Sequence, residues 1–180
     1  MKVAIVVGHK PSSPGAGNKK YGLSEWDYNN ALAKKISNEL GELNVHCVIV
    51  QRKSYHDLPF EINDDVMPDL VVSLHCNAFN TEVSGTEVLY YHSSTKGKEV
   101  AAVMQRHLLA ALHLPDRGIK PKHSEDRGGY LLRYTDAVCL ICEPFFIDND
   151  KDCERAFTLE KGLVWAYVDA IVEIAGGFDV

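Results

Sequence analysis

Four residues of this chain stand in settings that suggest shared chemistry. His9 follows the apolar run Val3–Val7 after Gly8, His75 follows Leu70–Leu74, Glu143 closes Val138–Cys142, and Glu25 stands where a helical pattern opens. Two imidazoles and one carboxylate fill three corners of a zinc tetrahedron and leave the fourth for water. A further carboxylate can take that water's proton. Hydrolysis is the chemistry these residue types offer together. Each also has a plainer role by itself: a strand-end histidine as a hydrogen-bonded structural residue, Glu25 as a favourable first-turn charge, Glu143 as an ion-pair partner. Their joint placement at three strand ends and one helix start favours the metal-site reading.

The elements that must position them are legible as patterns. Lys2–Val7, Val45–Val50 and Leu70–Leu74 are continuous β-branched or aliphatic runs, as expected of central strands buried on both faces. Gly8 permits close packing where His9 leaves its strand. Strand alternation puts Ser73, His75 and Asn77 on one side and Cys76 on the other, which sets Cys76 apart from the site. Trp26–Leu40 reads as a helix with Ala33, Ile36 and Leu40 on one stripe, a capping box from Ser24 and Asp27, and an end at Gly41. Glu25 falls in its first turn, where the macrodipole favours an ionised carboxylate. Gly97–Leu112 aligns Val100, Val103, Met104, Leu108 and Ala111 as a second helix.

Gly85–Tyr91 and Val138–Glu143 read as strands, and Tyr130–Tyr134 as a further short one. Helical patterns close the chain around Asp150–Phe157 and Leu159–Ile174. Lys10–Ser24 and Pro115–Gly129 read as long loops near strand ends, where open α/β sheets place their sites. The expected architecture is α/β: a single domain over residues 1–180, with a mostly parallel mixed sheet flanked by helices on both faces. Burial of Glu143 beside Pro144, Phe145 and Phe146 is expected to raise its pKa toward neutrality, which suits a group that takes a proton from water and passes it to a leaving amine.

Bulk properties narrow the function classes. With 180 residues and 46% hydrophobic content the chain can bury one core. A net charge of −6 with scattered Lys and Arg argues against a nucleic-acid groove. No apolar run reaches the length of a membrane span, and the start lacks the pattern of a signal peptide, so synthesis in the cytoplasm is expected. The five cysteines are odd in number and mostly inside apolar strands, which favours buried thiols over disulfides.

Several segments together resemble the zinc-dependent N-acetylmuramoyl-L-alanine amidases of the amidase-3 type, which include cell-wall lytic enzymes of bacteriophages and bacteria. They are Gly8-His9 with the Gly-rich loop after it, Ser24-Glu25 with Asn29 and Asn30, Ser73-Leu74-His75-Cys76-Asn77-Ala78, and Gly85-Thr86-Glu87-Val88. Cys139-Leu140-Ile141-Cys142-Glu143-Pro144-Phe145-Phe146 completes the set, followed by Asp148, Asn149 and Asp152. The resemblance spans nearly the whole chain in the family's order. It implies one zinc ion held by His9, Glu25 and His75, with Glu143 as the catalytic carboxylate. The bond cut would be the amide between the lactyl group of N-acetylmuramic acid and L-alanine, so peptidoglycan is the implied partner, with no nucleic acid and no membrane insertion.

Two departures from the family pattern stand out. Between Arg52 and Asp69 the family has a longer helix with an Arg and an Ala-Asn pair, where this chain offers Asp57–Met67 with an internal Pro59. After Gly85 there is no long acidic insertion of the kind that blocks regulated members, which implies an enzyme active as made. Asn77, His123 and Arg127 are candidate substrate contacts, His123 and Arg127 within a charged stretch that also holds Glu125 and Asp126. Tyr90, Tyr91 and His92 could line a groove, His107 sits in a helical pattern as a structural residue, and His46 and His56 show no partner signal. A phage or prophage endolysin, monomeric, without a separate wall-binding domain and released through a phage pore, is the expected context. Two rivals are a zinc carboxypeptidase-like enzyme with Arg127 or Arg133 on a terminal carboxylate, and a metal-stabilised, non-catalytic wall-binding domain.

Overall fold

The computed structural model describes residues 1–177. In chain order the elements are β1 (Lys2–Val7), the two-residue strands β2 (Gly17–Asn18) and β3 (Leu23–Ser24), α1 (Glu25–Glu42), β4 (His46–Gln51), and α2 (Leu58–Glu61), which runs into a π-helical turn (Ile62–Val66). They continue with β5 (Leu70–Leu74), β6 (Thr86–Tyr91), α3 (Thr95–Leu112), β7 (Asp116–Lys122), α4 (Gly129–Tyr134), β8 (Val138–Glu143), α5 (Asp150–Thr158) and α6 (Glu160–Gly177). Six strands form one sheet in the order β4-β1-β5-β8-β6-β7. β4, β1, β5 and β8 are mutually parallel, while β6 runs antiparallel to β8 and parallel to β7. The fold is therefore the α/β class the alternating patterns predict, with a mostly parallel, mixed sheet.

The two faces of the sheet are covered unequally. Val3, Ile5, Val7, Leu70, Val72, Leu74, Leu140 and Cys142 pack against α1, α3, α5 and α6 in the larger core. Ala4, Val6, Val71, Leu89, Cys139 and Ile141 face a smaller cluster built from Leu58, Ile62, Leu131 and Leu132. Continuous aliphatic runs serve both layers at once, because successive side chains point to opposite faces. The thin layer of α2 and α4 leaves room for a cleft where β1, β5 and β8 end.

Helix α1 starts as its capping box dictates: the Ser24 hydroxyl accepts from the Asp27 N–H at 3.2 Å, and the Asp27 carboxylate accepts from the Ser24 N–H at 3.4 Å. It runs through Gly41 rather than ending there, and its cap is Leu43, whose N–H reaches the Leu40 carbonyl at 3.1 Å. Glycine inside a last turn costs helix stability without terminating it.

Other expectations fail as well: Lys10–Ser24 is not all loop, because it holds the antiparallel pair β2–β3. Tyr130–Tyr134 is helix, not strand: Leu131 and Leu132 both pack into the same smaller cluster, which adjacent residues on a helix face can do and alternating strand residues cannot. Pro115–Gly129 is not a continuous loop, since β7 occupies Asp116–Lys122 and pairs only with β6. Its charges, Gly118 and Pro121 hide the strand pattern, and an edge strand tolerates all of them because one side makes no ladder bonds.

Candidate active site

Three strand ends and one helix start converge at one edge of the sheet. Glu25 opens α1 and is fully buried. Its position is pinned by its own N–H donating to the Ala16 carbonyl at 2.8 Å, and by Trp26 N–H donating to Pro14 at 2.9 Å. One carboxylate oxygen, Oε1, accepts from the Cys76 N–H at 3.1 Å and lies 2.8 Å from His75 Nδ1. The other, Oε2, accepts from the Ala16 N–H at 3.3 Å and lies 3.2 Å from His9 Nε2. The two imidazole rings meet edge to face with centroids 5.3 Å apart.

Small residues make this convergence possible. A Cβ on Gly8 would come within 2.4 Å of the Leu74 carbonyl oxygen and 2.7 Å of the His75 ring. A Cβ on Gly15, where φ is +85°, would come within 2.6 Å of Glu25 Oε2. His9 itself adopts φ of 66°, in the left-handed region that most side chains avoid. Backbone of that kind persists only where its surroundings over-determine it.

The electrostatics divide the acids. Burial alone would push Glu25 upward, but the hydrogen bond from His75 and the closeness of His9 outweigh it and hold the carboxyl well below the usual range. Burial lowers His75, against the pull of Glu25, so the imidazole is neutral beside an ionised carboxylate. A neutral imidazole and a carboxylate are the protonation states in which both groups can donate to a cation. One donor atom from each of His9, Glu25 and His75 lies within 4.8 Å of the others, the one such group among the described residues. His9 Nε2 is buried and has no hydrogen-bond partner among the described residues, although Glu25 Oε2 lies 3.2 Å away, as expected of a nitrogen placed to share a cation with that carboxylate. The set fits a borderline divalent ion such as zinc.

Glu143 closes β8 at the same edge. Its Oε2 is buried without a hydrogen-bond partner among the described residues. Burial first, and the charge of Glu25 second, raise its pKa well above the carboxylate range, against the pull of Arg127 and Lys122. His9, His75 and Glu143 all line one cavity of about 500 Å³, with Glu25 behind its wall. Ser73, Asn77 and Arg127 line it too, as the alternation along β5 predicts for Ser73 and Asn77. His123 does not: it is exposed and stacks on His92 at 3.9 Å. Cys76 points into the core, fully buried, with its thiol toward Asn29. All five cysteines are free thiols. His107 lies 2.8 Å from Glu173 across α3 and α6, a structural contact.

Sequence reasoning missed Glu87, Arg52, Tyr55, His56 and Tyr130, which all line the cavity. Glu87 sits directly opposite Glu143 in the β6–β8 register, accepts from Asn77 Nδ2 at 2.9 Å, and pairs with Arg117 Nε at 2.7 Å. Alternation along Gly85–Tyr91 places it on the same face as Leu89, but only the antiparallel pairing brings it to the site.

The family profile described as N-acetylmuramoyl-L-alanine amidase matches residues 3–173. The chain is 30% identical over 161 residues to YqiI of Bacillus subtilis (strain 168), described as an uncharacterized protein, covering 85% of this chain and 73% of that one. Among solved structures, an N-acetylmuramoyl-L-alanine amidase from Clostridium difficile 630 superposes with a TM-score of 0.85 at 21% identity, covering 98% and 97% of the two chains. The catalytic domain of CD27L endolysin targeting Clostridia difficile superposes with a TM-score of 0.81 at 26% identity, covering 96% and 97%.

Proposed function

The chain belongs to the N-acetylmuramoyl-L-alanine amidase family, and from that premise we propose that it hydrolyses the amide between the lactyl group of N-acetylmuramic acid and L-alanine in peptidoglycan. His9, Glu25 and His75 would hold one zinc ion. The observation that carries this reading is that two of those donors and the unpartnered Glu143 carboxyl open into one cavity.

Bound at these donors, zinc supplies a Lewis acid for the amide carbonyl and makes water a better nucleophile. Glu143 takes the proton of the attacking water and delivers it to the departing L-alanine nitrogen, a shuttle open to a carboxyl that lines the cavity and whose Oε2 has no hydrogen-bond partner among the described residues. Glu25 stays ionised throughout because its oxygens are engaged by backbone N–H groups and His75. Asn77 is anchored through Glu87 and has a second amide N–H to offer the substrate. Arg127 and Lys122 line the wall near Glu143 and receive the carboxylates of the stem peptide.

The reading extends to one catalytic unit over residues 1–180, acting as a monomer in an endolysin role, with synthesis in the cytoplasm and release to the wall through a phage pore. Likeness to the catalytic domain of an endolysin supports that role. Among the described residues no helix is long and apolar enough to cross a membrane.

The test is digestion of purified peptidoglycan with and without a chelator, with released fragments identified by mass spectrometry. Chelator-sensitive release of intact stem peptides with a free L-alanine amino terminus is the expected result. Trimmed peptides still attached to glycan would point to a carboxypeptidase using Arg127, and an undigested but bound wall to a non-catalytic domain.

A further inference from the structure

Two chemically different sets of residues line the cavity. One, from Lys122 to Arg127, is charged, and the other carries rings. Tyr55 and His56, before α2, meet Tyr130 of α4 at centroid distances of 5.8 and 4.9 Å, and all three line the cavity. The row continues outward, since Tyr134 lies 4.6 Å from Tyr130 and is 41% exposed. Arg52 stands over Tyr55 at 5.9 Å, and Arg133 stands 5.5 Å from the rings of both Tyr91 and Tyr134.

The two segments that carry the row are tied together. Asn63 of the π-helical turn donates to the Tyr134 carbonyl at 2.9 Å and accepts from the Asp136 N–H at 3.0 Å, tying the α2 segment to the end of α4. Tyr55–Tyr130 and Tyr130–Tyr134 are tilted by 41° and 48°, so their faces splay apart rather than seal against each other. Aromatic rings this close to water, and not packed into the core, have apolar surface left to cover.

We propose that the Tyr55–Tyr130–Tyr134 row is a saccharide subsite that holds the glycan strand of the substrate beyond the muramic acid at the scissile bond. The inference rests on the amidase reading and deepens it. An amino-sugar chain is uncharged along its backbone, presents apolar C–H faces at intervals of about one ring, and carries hydroxyl and acetamido groups at its edges. Splayed tyrosines match the faces, and Arg52, His56 and Arg133 supply donors for the edges. The stem peptide carries carboxylates, and the charged set with Lys122 and Arg127 suits it instead. The amide to be cut joins these two halves of the substrate, and both sets of residues line the same cavity as Glu143 and His75.

Two measurements test the subsite. The first compares hydrolysis of a muramoyl-peptide bearing one sugar with the same peptide on a glycan chain several disaccharides long, for the wild type, Tyr134→Ala and Tyr130→Leu. Each variant should lose about threefold to tenfold of the chain's kcat/KM advantage over the single sugar. The second titrates chelator-treated protein with chitotetraose, an uncharged amino-sugar chain. The dissociation constant should rise by about the same factor in both variants, and Tyr130→Phe should retain wild-type binding. An unchanged chain advantage in a wild type that cleaves both substrates, or no binding of chitotetraose, overturns the subsite. Ring-dependent binding of chitotetraose by a protein that cleaves neither substrate would uphold the subsite while removing the amidase reading.

Discussion

Glu143 lines the cavity and Glu25 lies behind its wall, and each carboxyl has at least one oxygen shielded from water. Glu25 accepts from the N–H groups of Ala16 and Cys76 at 3.3 and 3.1 Å and lies 2.8 Å from His75 Nδ1. Glu143 Oε2 has no such partner among the described residues. Burial pushes both carboxyls up, yet Glu25 ends well below the ordinary range and Glu143 well above it. Partners, not burial, decide which carboxyl is held low and which is pushed up. The two are also coupled, because the charge kept on Glu25 is the second cause of the rise at Glu143.

The largest effect that would break the comparison is expected from Glu143→Gln. Turnover on peptidoglycan should fall by about 10²- to 10⁴-fold with the metal content unchanged, read by activity and elemental analysis of the same sample. Near-normal lysis would take the proton carrier away from this residue. His75→Ala attacks the other side, and its zinc affinity should drop by more than about 100-fold, beyond what loss of a supporting residue costs. A competitive chelator titration reads it, and parental affinity would place the ligand set elsewhere. Gly15→Ala is milder, since a Cβ crowding Glu25 Oε2 at positive φ should cost about 1–3 kcal/mol in urea unfolding. A variant as stable as the parent would show that the loop yields without strain.

The pH dependence of stability sharpens the comparison most finely. Glu25 titrates lower folded than unfolded, so its contribution is present above the unfolded pKa near about 4.3 and is lost as pH falls below it. Glu143 titrates higher folded than unfolded, so its contribution is present below that pKa and is lost as pH rises through the folded value. In metal-free protein, Glu25→Gln should flatten the acid limb of unfolding free energy, and Glu143→Gln the decline toward neutral and alkaline pH. Each slope is bounded by one proton, about 1.4 kcal/mol per pH unit. Identical profiles for the two variants would mean that the acids are not divided as the geometry indicates.

Much of this is legible in the sequence. The runs Lys2–Val7 and Leu70–Leu74 are strands at those same bounds, and the Ser24–Asp27 capping box starts α1 as its spacing dictates. Alternation along β5 separated His75 and Asn77 from Cys76 correctly, because a period of two needs no knowledge of the neighbours. Tyr130–Tyr134 misled: its aromatics favour a strand by propensity, while Leu131 and Leu132 were free to choose a helix once Ile141 and Leu58 offered a surface to cover.

By itself the sequence determined what local rules govern: strand runs, helix starts, the glycines at close approaches, and the residue types that arrive at strand ends. Tertiary structure alone decided that β6 returns antiparallel beside β8, which sets Glu87 against Glu143, and that β7 is an edge strand inside a charged stretch. It also decided that Tyr55 and Tyr130, far apart in the chain, line one cavity together. The opposite pKa shifts of Glu25 and Glu143 belong to the same class. A pKa is set by every charge and donor within a few ångströms, and those neighbours come from β1, α1, β5 and β8 only after the sheet has assembled.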